Sequence, residues 1–111
     1  MAKREFLGNF ELVVMLALIR LGENAYGVPI ASEIEARSGR RVSLGSIYAT
    51  LERLEAKGLV SSKLGEPTSE RGGRAKKYFR ISGMGLREVR ATQRMLMKSW
   101  QGLRQLEGRP A

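Results

Sequence analysis

The order of apolar and polar residues changes period along the chain, and each change marks an element. LVVMLALI, residues 12–19, is an unbroken apolar run bounded by Glu11 and Arg20. It predicts a first helix over residues 9–21, apolar nearly all round and therefore central, with Gly22 as its stop. In YGVPIASEIEAR, residues 26–37, Tyr26, Ile30 and Ile34 recur at helical spacing, Pro29 suits a first turn, and Ser38-Gly39 closes the segment. A third helix follows, with Ser43 at its N-cap, Leu44, Ile47, Leu51 and Leu54 on one stripe, and Gly58 after Lys57 at its end. The period then drops to two in LVSSKL (59–64) and KYFRI (77–81), a hairpin whose polar connection, GEPTSERGGRAK, should project from the sheet. After Ser82-Gly83, a last helix over residues 85–106 would reach about 33 Å.

Three helices, a hairpin and a long final helix define the fold class: mainly α with a small β-hairpin, a winged helix-turn-helix over residues 1–83. Residues 84–111 form a C-terminal dimerisation helix and tail. In that helix Leu86, Val89, Gln93, Leu96, Trp100 and Leu103 alternate at spacings of three and four, the pattern of a seam between two copies. A cap on its own domain is an alternative. A membrane-surface helix using Arg87, Arg90, Arg94 and Lys98 is another. Gly102 weakens the helix by about 1 kcal/mol relative to Ala and can mark fraying near its end.

Charge narrows the function. With 20 Lys+Arg against 11 acids, the formal charge of +9 draws polyanions, nucleic acid first. There is no cysteine and no histidine, and every acid is Glu. That removes disulfides, thiolate and imidazole metal sites, and the Ser-His nucleophile arrangement. An enzyme is not expected, nor a cofactor, nor a metal. The apolar run falls well short of the roughly 20 residues that span a bilayer, and MAKRE lacks the pattern of an export signal. No membrane association and a cytoplasmic location are expected.

Position makes the charge specific. The third helix turns Gly45, Ala49 and Arg53 outward, with Ser46 and Tyr48 on its shoulders, and Arg40 and Arg41 stand just before Ser43. Small residues let a helix approach base edges, and long polar ones grip phosphates. Tyr48 has two readings: a contact to the sugar-phosphate backbone or a thymine methyl, or a cover for the edge of the core. Glu52 would repel phosphate beside Arg53, so contact belongs to the first two turns. In the loop Arg71, Arg74 and Lys76, with Gly72-Gly73, read as a wing that grazes the backbone, or else as a solvated connector. Lys77 and Arg80 read equally as sheet-surface charge. The candidate interface is therefore Arg40, Arg41, Ser43, Gly45, Ser46, Tyr48, Ala49, Arg53, Arg71, Arg74 and Lys76, facing double-stranded DNA. Two rival classes use the same charge or helix: a non-specific architectural or RNA-binding module, disfavoured by the few aromatics, and a protein-interaction adaptor built on the last helix.

At these residues the chain resembles the PadR family of bacterial transcriptional regulators. FELVVMLALI, YGVPIASEIE, SLGSIYATLERLEAKGLV and GGRAKKYFRISGMG carry the likeness over most of residues 6–87. Gly45, Tyr48, Leu51, Leu54, Glu55 and Gly58, then Gly73-Arg74 and Lys77-Tyr78-Phe79, match in order and spacing. The resemblance implies a homodimer, usually a repressor, on an inverted-repeat operator. Tyr48 matches the family's recognition-helix tyrosine, and Arg74 with Lys76 its basic wing. It also implies response to small aromatic or phenolic compounds. This chain has a single C-terminal helix, like the short members, and Trp100 in the seam reads first as interface core and only alternatively as the flank of an effector pocket.

Overall fold

The computed structural model describes residues 7–66 and 75–106. In chain order the elements are α1 (Asn9–Leu21), α2 (Gly27–Ser38), α3 (Leu44–Ala56), β1 (Val60–Leu64), β2 (Lys77–Ile81) and α4 (Gly83–Trp100), with 3-10 turns at Gly22–Asn24 and Arg104–Leu106. This is the mainly helical architecture with one antiparallel hairpin that the pattern predicts.

α1 starts where the Gly8 N–H donates to Glu11 Oε1 at 3.0 Å. Val14, Met15, Ala17 and Leu18 are buried and meet α2, α3 and β2. The expectation of a helix buried all round is corrected here. Val13, Leu16 and Ile19 are exposed, because the other described elements cover only part of the circumference of α1. Glu33 of α2 ties the two helices by accepting from Arg20 at 3.2 Å while also pairing with Arg37.

α3 is closed at both ends by local chemistry. Ser43 Oγ accepts the Ser46 N–H at 3.1 Å, satisfying one of the free amides of the first turn. At the other end Gly58 takes φ +78°, so its N–H reaches the Glu55 carbonyl at 3.0 Å and the Leu59 N–H reaches that of Leu54 at 2.9 Å. A side chain at position 58 would be strained in that left-handed conformation. Ile47, Leu51 and Leu54 are fully buried as the stripe predicts. Leu44 is corrected: it reaches Gly27 at the start of α2, yet at the first turn it stays 42% exposed.

The hairpin pairs Val60 with Ile81, Ser62 with Phe79 and Leu64 with Lys77. Alternation buries Val60 and Phe79, whereas Leu64, on the same face at the far end of β1, is exposed. Leu59, expected within the strand, precedes it, and its carbonyl instead accepts the Ser82 N–H at 3.0 Å. The Phe79 N–H donates to the Ala25 carbonyl at 2.8 Å, which fixes the sheet against the α1–α2 connection.

Ser82 caps α4 by accepting the Gly85 N–H at 3.0 Å while its own hydroxyl donates to the Gly58 carbonyl at 2.7 Å. Gly85, Val89 and Thr92 are buried against the core. The final helix is shorter than expected. It has 18 residues, about 27 Å, and stops at Trp100 because Gln101 is extended and Gly102 turns left-handed at φ +80°. Leu103 thus leaves the helical seam in which the spacing put it. Among the described residues no helix is long and apolar enough to cross a membrane.

Candidate nucleic-acid interface

Two surfaces emerge from this frame. The first is the outer side of α3 with the turn before it. Gly45, Ser46 and Ala49 are exposed on the first two turns, and Ser43 is exposed while capping them. The turn into α3 is held by side chains of α2: the Val42 N–H donates to Glu35 Oε2 at 3.1 Å and the Arg40 N–H to Ser38 Oγ at 3.1 Å. Arg40 and Arg41 are exposed there, and neither guanidinium has an acidic partner among the described residues. An unpaired cation beside a small-residue face suits a phosphate anion.

Arg53 does not join them. Its guanidinium turns back to donate to Thr50 Oγ1 at 3.1 Å, and its charge acts on Glu11 at the far end of α3. Glu11 itself is a held anion. Burial alone would raise its pKa, but the Gly8 N–H, the Lys57 ammonium at 3.0 Å and the Arg53 charge outweigh that and bring it below the ordinary glutamate value. The ion pair fastens the start of α1 to the end of α3, away from the exposed first turns.

Tyr48 lies at the edge of the core and is only partly covered by it. Its ring packs on buried Phe79 with centroids 6.3 Å apart, yet 40% of the residue is exposed. The hydroxyl lies over Gly27 at the start of α2, and no hydrogen bond joins it to the described residues. At the root of the hairpin, Lys76 Nζ stands 4.5 Å over the Tyr26 ring and 3.4 Å from its hydroxyl. Tyr26 in turn meets Tyr78 edge-on at 5.2 Å. This cluster ties the wing to the helix-turn-helix, so Lys76, Tyr48 and the start of α2 share one neighbourhood. The expected contacts Arg71 and Arg74, with Gly72-Gly73, lie outside the described residues. The sequence pattern puts Tyr26 on the apolar stripe of the second helix and assigns Gly27 no role, so neither residue is expected in this neighbourhood.

The second surface is apolar. A groove of about 580 Å³ between α1 and α4 is lined by Leu12, Leu16, Val89, Gln93, Leu96, Met97, Trp100 and Gln101. Of the expected seam residues, Val89, Gln93, Leu96 and Trp100 line it, whereas Leu86 and Leu103 do not. Val89 is also buried in the core of its own chain. Leu12, Leu16 and Met97 were missed: the first two belong to a run whose length signals burial without saying by what. No group of three or more metal-ligating side chains occurs among the described residues.

Comparison with known proteins agrees with this architecture. The family model described as the transcriptional regulator PadR-like family matches residues 15–91. A PadR family transcriptional regulator from Eggerthella lenta DSM 2243 is 30% identical, with 87% of this chain and 83% of that one covered and a TM-score of 0.66. At lower identity the likeness speaks for the fold. A PadR family regulator from Clostridium difficile R20291 is 23% identical over 83% of this chain and 94% of the other, TM-score 0.66. A PadR-like regulator from Bacillus cereus strain ATCC 14579 is 24% identical over 81% and 85%, TM-score 0.64. Among curated proteins no similar sequence was found. These likenesses fall among transcription regulators and not among enzymes. With the family model spanning well over half its length, the chain belongs to the PadR-like family of transcriptional regulators.

Proposed function

We propose that the chain is a sequence-specific DNA-binding repressor of the cytoplasm that grips an inverted-repeat operator as a homodimer. The observation that carries this is the outer face of α3. Its apolar stripe is fully buried at Ile47, Leu51 and Leu54, so Gly45, Ser46, Ala49 and the guanidinium groups of Arg40 and Arg41, without an acidic partner among the described residues, are left for an outside partner. Small residues at a helix start, flanked by cations, are what major-groove entry requires. Tyr48 contacts the backbone beside it, and Arg71, Arg74 and Lys76 carry the wing to the next phosphates. Arg53, drawn toward Thr50, is the weakest member of the set.

The apolar α1–α4 groove supports the homodimer, since a second copy would remove Leu96, Met97 and Trp100 from water. A planar aromatic effector beside Trp100 would share that groove, and quenching of Trp100 fluorescence by a panel of phenolic compounds checks it. The formal charge of +9 favours a second reading, a non-specific architectural DNA-binding protein. One experiment separates the two: selection of bound duplexes from a random pool by the full chain. Sequence-specific binding by a homodimer predicts an enriched inverted repeat, whereas affinity that falls with salt at about −0.9 per phosphate neutralised is common to both readings. Equal affinity for every duplex would leave only the architectural reading.

A further inference from the structure

Gly27 is the first residue of α2, it is buried, and it has no left-handed backbone. Conformational freedom therefore does not explain a glycine there, and within a helix glycine is the weaker choice than alanine. What glycine supplies is room. A Cβ built on Gly27 would fall inside the radius of Tyr48 Oη and 2.9 Å from Tyr48 Cζ, while Leu44 Cδ2 lies at an ordinary 3.4 Å. The space is taken by the phenol of the one aromatic on the exposed shoulder of α3.

We infer that Gly27 is a positioning residue for Tyr48: the notch it leaves at the start of α2 seats the phenol, and so sets where the tyrosine meets DNA. The notch has two walls. Phe79 of β2 supports the ring at a centroid distance of 6.3 Å, and Gly27 receives the hydroxyl end. Phe79 is itself bound to the α1–α2 connection through Ala25, so the seat is built from the elements that carry the helix-turn-helix and the wing together. The hydroxyl is held without a hydrogen-bond partner among the described residues, which leaves it available to a phosphate oxygen. A methyl group at position 27 meets the far end of a side chain that can pivot, not backbone. Tyr48 swings outward and the fold survives.

This inference rests on the reading of Tyr48 as a DNA contact, and the test separates the two. The full chain is prepared as wild type, Gly27→Ala, Tyr48→Ala and the double variant. Each is titrated against the duplex recovered by selection, or a random duplex at low salt if none is recovered, with melting and Tyr48 ring resonances measured alongside. Gly27→Ala is expected to weaken DNA binding roughly tenfold, the size of one hydrogen bond to a charged group. It should stay folded, with a melting temperature lowered only by what the ring loses on leaving Phe79, and the Tyr48 resonances should move. The double variant should bind no more weakly than Tyr48→Ala. A further loss in the double variant, or ring resonances that stay in place, would overturn the inference. Full affinity in Tyr48→Ala with displaced resonances in Gly27→Ala would sink the contact reading and leave the positioning intact. Should Gly27→Ala fail to fold, recovery in the double variant supports the steric pairing, and failure of both contradicts it.

Discussion

α3 and α4 begin alike and end differently. Each opens on a serine whose hydroxyl accepts an amide of the first turn, and each carries an apolar stripe at helical spacing. In α3 the stripe is buried inside the chain from the second turn on: Ile47, Leu51 and Leu54 are all 0% exposed, and only Leu44 at the first turn is open. In α4 it runs out of partners, so that Met97 is 60% and Trp100 53% exposed beside the bare side of α1. A helix whose apolar face is satisfied offers its polar face to a ligand. One whose apolar face is not satisfied asks for another protein surface. The same amphipathic pattern thus serves two tasks, and burial tells them apart.

The largest expected contrast follows from that difference. Leu51→Ala should lower the unfolding free energy by about 3 kcal/mol, and Leu96→Ala by less than about 1 kcal/mol in the dissociated chain. Denaturant titration at low concentration measures both, and equal losses would erase the distinction. Trp100→Ala should weaken the dimer at least about tenfold, close to 1.4 kcal/mol, because an interfacial tryptophan is typically an anchor. Sedimentation at several concentrations would show it; an unchanged dimer would place the seam elsewhere.

How far the sequence foretold these helices depends on what set each boundary. Ser43 and Gly58 act through bonds to residues within one turn, so the limits of α3 could be read locally. The end of α4 could not. The apolar spacing runs on through Leu103, and only the backbone at Gln101 and Gly102 shows that the helix has stopped. The exposed side of α1 was hidden for another reason: an apolar run states that burial is needed, but tertiary packing decides which stripe receives it. Likewise Tyr48 stood out as an aromatic off the apolar line, whereas its seat required Gly27 and Phe79, which come together only in the fold.

Two smaller effects sharpen the comparison at the helix ends. Gly58→Ala should cost about 1 kcal/mol, because the left-handed turn there is fixed by two backbone hydrogen bonds. Gly102→Ala should cost less, since α4 can extend into solvent, and circular dichroism should record added helix. If Gly102→Ala were the more damaging, the short helix would be an essential stop. The smallest change concerns Glu11. Its folded pKa is depressed, so its ion pair stabilises the fold above the unfolded glutamate value and that contribution is lost as pH falls through the lowered one. Glu11→Gln should therefore lose less stability than wild type on acidification from about pH 7 to about pH 3. Identical acid sensitivity would mean that the Lys57 pair contributes nothing, as many exposed pairs do.

On the proposed function, α4 yokes two chains so that their α3 helices meet one face of a duplex, roughly 34 Å apart. Insertion of about five base pairs between the selected half-sites rotates one half-site to the opposite face of the duplex. Affinity for this spaced duplex should fall to that of a single half-site, and insertion of a full turn should restore part of it. Equal affinity for the spaced and unspaced duplexes would contradict the yoke.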